Sequence, residues 1–389
     1  MKVLHVTNFF KPSWEAGGVA RYAHGATTAL AKRNYDVTVY TTDGYAERLS
    51  VKTGEPIDVD GVSTYYFRNL SRKLLDYVHV PIPLQLPATA RQEISDFDVV
   101  HIHEHRSILA LVVAFLANRY NVPYTVQPHG SLPYSTGNSQ LKYLFDRCGG
   151  HYVLRNADRL LALSKTEQEQ FADLGYPSES IDIIRNGTVV SDTENEESKR
   201  HSAAESVRSQ YGIPSDEPIF LYLGRIHERK GVNVLVDAFE HTDNGHLVIV
   251  GPDHGYAKRL QAQIKASSER SRIHYVGFVS EAEKEQWYES ADVYMLTSTG
   301  SEGLPTTLIE AAAHSLPLII SKKCNAPIVE ASNAGRVVEL TPPIIADAMQ
   351  EMLGPIGKEY GRNAQKMIKN SFTWSEIVKD LESVYEAVQ

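Results

Sequence analysis

Cysteine is scarce: Cys148 and Cys324 are the only two in 389 residues, which excludes a disulfide framework and fits a reducing compartment. Long hydrophobic runs are missing too. The longest, residues 108–117, is too short to cross a bilayer, and the apolar stretch 3–6 is too short for a signal peptide. A cytoplasmic location is the expectation. Positive charge is not in excess, and a formal net charge of -9 argues against an electrostatic nucleic-acid binder. Neither a G-x-G-x-x-G fingerprint nor a Walker A sequence occurs, so dinucleotide oxidoreduction and P-loop phosphoryl transfer lose their sequence support.

What remains reads as two α/β domains. Runs such as "KVLHVT", "DVTVYTT", "DVVHIH", "YTVQPH" and "RLLALS" alternate with helix-length stretches at 19–33, 108–119 and 165–174. That alternation predicts βαβ units around a parallel sheet. Residues 191–206, "SDTENEESKRHSAAES", are almost free of large apolar side chains and read as a linker and the solvated start of a helix. The pattern restarts with "PIFLYLG", "HLVIVG", "RIHYVGF", "DVYMLTS" and "LPLIIS". Domains are therefore expected at 1–195 and 205–371. The terminal 372–389 forms an amphipathic helix that needs a surface to cover.

Ligands of such domains collect at the carboxyl ends of parallel strands, and three junctions there carry suitable residues. The first ends in Gly17-Gly18 before a helix, which gives backbone amides access to an anion. In the second, "GRIHERKG", Gly224 ends a strand and Arg225 and Lys230 follow, a fork and a point charge for one phosphate group. The third, "SEGLPTTLIEAAAHSLPLII", holds Glu302 in a turn and Glu310 inside an apolar helix that starts near Leu304-Pro305. Burying a carboxylate there is costly unless something needs its hydrogen-bond acceptors. The bland readings are a flexible turn, a solvated charged loop and an exposed helix glutamate.

Together with "GPDHGY", "VGFVS" and "FTWSEI", these stretches resemble the retaining GT-B glycosyltransferases of family 4, in the expected order along nearly the whole chain. The resemblance implies two facing Rossmann-like domains with a cleft between them and a last helix crossing back to the first. It implies an N-terminal acceptor-binding domain and a C-terminal donor-binding domain. Arg225 and Lys230 match the pair that holds the donor diphosphate in place of a metal. Glu310 matches the ribose-binding glutamate, and Glu302 the one near the transferred sugar. Gly303 and Leu304, before Pro305, match the turn whose amides meet the distal phosphate. His129 matches the histidine beside the reacting sugar, and Gly17 and Gly18 the loop closing over the donor. Base selection falls to the loop near Phe278 and Val279.

The activity so implied is transfer from a UDP- or GDP-linked sugar to a carbohydrate or lipid-linked hydroxyl acceptor, with retention and without metal or other cofactor. Polysaccharide, glycolipid or cell-envelope glycan synthesis is the expected setting. A nucleotide-sugar epimerase, a sugar phosphorylase and a non-catalytic nucleotide-sugar binding subunit are the alternatives. Asn186-Gly187-Thr188-Val189 departs from the family's usual Asn-Gly-Val-Asp.

Two further patterns are weaker. Asp96 to Asp98, "DFD", looks like a metal-binding Asp-x-Asp but precedes a strand instead of following one. His101, His103 and His105 alternate around Glu104 with no second ligand cluster, so they are expected as strand-end histidines lining the cleft. Around Arg68, Arg72, Lys73 and Tyr77 the mixture of charge and leucine suits weak peripheral contact with the inner face of a membrane, against the plainer reading of a helix packed on the sheet.

Overall fold

A computed structural model describes residues 1–45, 47–71, 80–134, 139–188, 197–300, 302 and 304–389, without the side chains of 197–203. The chain forms two compact α/β units, Met1–Gly187 with Trp374–Gln389, and Thr188–Thr373.

The first unit is built on eight strands: β1 (Lys2–Val6), β2 (Asp36–Thr42), β3 (Pro56–Val59), β4 (Val62–Phe67), β5 (Val99–His103), β6 (Tyr124–Gln127), β7 (Arg159–Ala162) and β8 (Ile181–Ile183). Their order is β3-β4-β2-β1-β5-β6-β7-β8, and every pair is parallel except β3 with β4. In the second unit β9 (Ile219–Leu223), β10 (His246–Val250), β11 (Ile273–Gly277), β12 (Val293–Leu296), β13 (Leu318–Ser321) and β14 (Gly335–Val338) form a parallel sheet. Its order is β11-β10-β9-β12-β13-β14.

Central strands such as β5, β9, β10 and β12 are buried along their whole length, as expected where helices cover both faces. The sequence reading placed ten of these strands. It did not anticipate β3 and β4, which form a partly exposed hairpin at the sheet edge, or the short β8 and β14. Helix starts follow ordinary capping chemistry. Ser107 accepts from the Ala110 amide, and Ser280 and Glu283 form a reciprocal capping box. The helix after the polar stretch runs Glu197–Gln210. No described helix is long and apolar enough to cross a membrane.

The terminal helix Trp374–Val388 returns to the first unit, where Ile377, Leu381 and Tyr385 share a core with Tyr22, Ala26 and Leu30 of the helix Gly18–Lys32. Full burial of Ile377 and Leu381 contributes roughly 1.5–3 kcal/mol each. Trp374 fits because two neighbours lack side chains. A Cβ on Gly25 would lie 2.0 Å from the indole, and one on Gly187 would lie 2.5 Å from it.

Candidate functional site

In the second sheet the strand order reverses between β9 and β12, and a crevice at such a switch point is where open α/β sheets bind ligands. Residues from the carboxyl ends of these strands meet there. Lys230 Nζ lies 2.7 Å from Glu302 Oε2, with only 15% and 17% of the two side chains exposed. Ser298, just beyond β12, donates to Glu302 Oε1 at 2.6 Å. The Glu302 amide donates to the Lys323 carbonyl at 2.9 Å, and Asn325 Nδ2 donates to the Glu302 carbonyl at 2.7 Å. Glu302 is thus clamped by backbone and side chain alike, while the Lys230 ammonium keeps two further donors.

Gly231 makes this loop possible. Its φ is +65°, and a Cβ would fall 2.0 Å from the Thr297 carbonyl oxygen. Arg225 is exposed one residue beyond Gly224. Burial and the nearby Arg225 charge both lower the His254 pKa.

Glu310 lies in the helix Thr306–Ala313, with Pro305 at the cap position one residue before its first turn. Lys284 Nζ is 3.1 Å from its Oε1, and the Tyr288 hydroxyl donates to Oε2 at 2.9 Å. Burial alone would lower the Lys284 pKa, but Glu310 and Glu281 outweigh it and hold the ammonium above its ordinary value. The carboxylate is 20% exposed and has lone pairs left over. The charge in the apolar helix is therefore matched. Leu304 is buried in the core of this unit, and Phe278, beyond β11, is 78% exposed with Val279 partly buried. Gly303 lies outside the described residues.

Sequence reasoning missed Ser298, Lys284, Tyr288 and Asn325. The signal for two of them was present: Ser280 and Glu283 mark a helix start, which puts Lys284 and Tyr288 one turn apart on one face.

The first unit has its own switch point, between β1 and β5. Gly17, with φ +98°, takes a conformation that favours glycine, and Gly18 opens the helix Gly18–Lys32. Beyond β1, Asn8 Nδ2 donates to Glu104 Oε2 at 2.9 Å. Burial raises the Glu104 pKa to about 7, and its φ of +65° is unusual for a residue with a side chain. Glu104 was weighed in the sequence only as part of a histidine pattern. His129, with φ +55°, follows β6, and its Nε2 lies 2.9 Å from His103 Nδ1.

The histidine pattern itself needs correction. His101, His103 and His105 do not line a cleft; they are at most 1% exposed. A central strand covered on both faces has no solvent side; His103 bonds His5 and His129, His101 bonds Tyr385, and His105, beyond the strand, is buried with no hydrogen-bond partner among the described residues. Of "DFD", Asp98 Oδ2 accepts from the Lys2 amide at 2.6 Å and so ties β5 to the start of β1. Arg72, Lys73 and Tyr77 lie outside the described residues.

Cationic and carboxylate groups thus meet at a switch point of a parallel sheet. The model of the family "Glycosyl transferases group 1" matches residues 204–371, and that of the "Glycosyl transferase 4-like domain" matches residues 17–187. Between them they span most of the chain, which belongs to this family. A D-inositol 3-phosphate glycosyltransferase of Xylanimonas cellulosilytica is 25% identical over 99% of this chain and 95% of its own. A phosphatidyl-myo-inositol mannosyltransferase of Mycobacterium tuberculosis is 27% identical over 75% of this chain and 74% of its own. HepE of Anabaena, solved in complex with UDP, has the same fold, with a TM-score of 0.76, 18% identity and complete coverage of both chains.

Proposed function

We propose that the chain transfers a sugar from a nucleoside-diphosphate sugar to a hydroxyl acceptor with retention of configuration and without a metal. The observation that carries this reading is the clamped Lys230–Glu302 pair at the β9–β12 switch point. Departure of the diphosphate builds negative charge, which in this reading Lys230 and Arg225 stabilise. Lys230 keeps donors for the phosphate while Glu302 holds it by one oxygen. Glu310, anchored by Lys284 and Tyr288, binds the donor ribose through its remaining lone pairs. HepE, also solved in complex with UDP-glucose, supports uracil as the donor base. The named relatives act on inositol-containing acceptors, which makes a polyol or lipid-linked polyol a reasonable first acceptor to try.

Two glutamate variants test the assignment. Glu310→Gln removes a contact made equally in ground and transition states, so the donor KM rises and kcat stays within a few-fold. Glu302→Gln loosens the cation that meets the leaving group, so kcat at saturating donor falls by roughly 10²-fold. If Glu310→Gln binds free UDP as tightly as the parent, the ribose assignment is wrong.

Divalent metal supplies the second check. With two side-chain cations on the diphosphate, turnover is expected to survive EDTA. Loss of activity restored by magnesium or manganese would transfer that role to a metal ion.

A further inference from the structure

The loop after β6 begins with two successive residues in the left-handed region, His129 at φ +55° and Gly130 at φ +77°. Glycine takes that conformation freely, but it costs a residue with a side chain roughly 1–2 kcal/mol. Such a residue persists only where its surroundings over-determine it, and these places cluster at functional sites.

Here the constraint can be traced bond by bond. Glu167, in the helix Lys165–Asp173, is 4% exposed. Its Oε1 accepts from the Gly130 amide at 2.5 Å, and its Oε2 accepts from the Leu163 amide at 2.7 Å. One carboxylate thus ties the ends of β6 and β7 together. Arg106 donates from Nη1 to the Ser131 carbonyl and from Nη2 to the Leu132 carbonyl at 2.9 Å. Its Nε and Nη2 also meet the two oxygens of Asp146, at 2.9 and 2.7 Å. Lys142 Nζ donates to the Pro133 carbonyl at 3.0 Å, and the Tyr134 hydroxyl donates to Asp146 Oδ2 at 2.7 Å. Every residue from Gly130 to Tyr134 therefore carries a tie to a side chain. None of these bonds can run the other way, because amides and cations only donate and carbonyls and carboxylates only accept.

The Gly130 amide is the decisive tie. It belongs to the planar peptide that joins Gly130 to His129, so the bond to Glu167 fixes His129 from its C-terminal side while β6 holds it from the other. We propose that Glu167 is a positioning residue for the transfer reaction, holding the His129 peptide in its left-handed turn at the carboxyl end of β6. The reaction part of this rests on the reading of His129 as a residue of the site. Glu167 itself is buried beneath the loop and acts only through it.

The test is Glu167→Gln in the full chain. Arg106→Ala would strand the buried Asp146 carboxylate and threatens the fold, whereas Glu167→Gln keeps the shape and sets an NH2 against one of the two amides. In amide NMR of the parent, the Gly130 proton is expected far downfield, as a short bond to a carboxylate requires, and it moves upfield in the variant. Turnover, read as UDP released from saturating UDP-glucose, falls by about tenfold through misplacement of the loop. The donor KM stays within about twofold, since the donor is held by the second unit. In a His129→Ala background the same substitution costs less than about twofold more, because both changes act through one residue. An unmoved Gly130 resonance, an unchanged turnover in Glu167→Gln, or an equal loss in both backgrounds overturns the proposal. His129→Ala alone tells the two readings apart. If it impairs turnover while Glu167→Gln is silent or uncoupled, the positioning role fails and the place of His129 in the site stands. If it leaves turnover intact, the reading of His129 has failed and the positioning role falls with it.

Discussion

Lys230→Ala is expected to lower turnover at saturating donor by on the order of 10²-fold or more, and to weaken donor binding as well. Two effects act together. The leaving diphosphate loses a preorganised cation, and Glu302 keeps its charge in a site where 17% of its side chain is exposed. Among the described residues, Ser298 is then the side chain left hydrogen-bonded to that carboxylate. Breaking a largely buried pair from one side costs more than the pair itself is worth. Some loss of stability therefore accompanies the loss of rate, and a melting curve on the same sample separates them. Combining Lys230→Ala with Glu302→Gln is expected to cost much less than the product of the single effects, because the two residues act as one unit. A Lys230→Ala enzyme within threefold of the parent would remove Lys230 from the diphosphate.

Lowering the pH from 7 to 5 is expected to destabilise the first unit by several kcal/mol. Burial holds the His101 and His105 pKa values at about 3, against about 6.5 in an unfolded chain. Between those values the unfolded chain binds protons that the native state refuses, so stability rises with pH up to about 6.5 and falls below it. At pH 5 each contributes a loss of about 2 kcal/mol. His5, His103 and His129 shift in the same direction for the same reason. Glu104 acts oppositely. Its pKa is raised to about 7, so between about 4.5 and 7 the native state holds a proton that the unfolded chain gives up. That gain offsets roughly one histidine, about 2 kcal/mol, and leaves the rest. Against a typical stability of about 5–15 kcal/mol the remainder is large. Urea midpoints at the two pH values measure it, and a flat profile would mean the imidazoles are not held neutral. His105→Leu offers a control: neither of its ring nitrogens has a hydrogen-bond partner among the described residues, so its removal should flatten the profile by one histidine's share.

The parts of the fold that were legible are those with strong local signals. β2 was readable to its ends because "DVTVYTT" is a β-branched run, and the helices near residues 19, 108 and 165 were placed within a residue or two. The edge hairpin was not, because β3 alternates exposed and half-buried residues and carries Pro56. For the candidate site, the loops bearing Arg225, Lys230 and Glu302 were visible as breaks after apolar runs. Their clamps were not. Ser298 lies four residues before Glu302 in the same loop, a contact no residue pattern announces, and Asn325, which follows β13, is brought to Glu302 by sheet order. Histidine burial was misjudged for a related reason. Alternating polar residues in a strand suggest a wet face, yet His101 and His103 find their partners on β1, on the terminal helix and beyond β6.

The terminal helix also constrains the order of events during synthesis. Ile377, Leu381 and Tyr385 complete a core whose other side is made from residues 3 to 184, so the first unit cannot close until the whole of the second has left the ribosome. The second unit is contiguous in sequence and is under no such delay. Until translation reaches Trp374, the apolar face of the helix Gly18–Lys32 is exposed, and a nascent chain stalled in the second unit offers that face to chaperones or to aggregation.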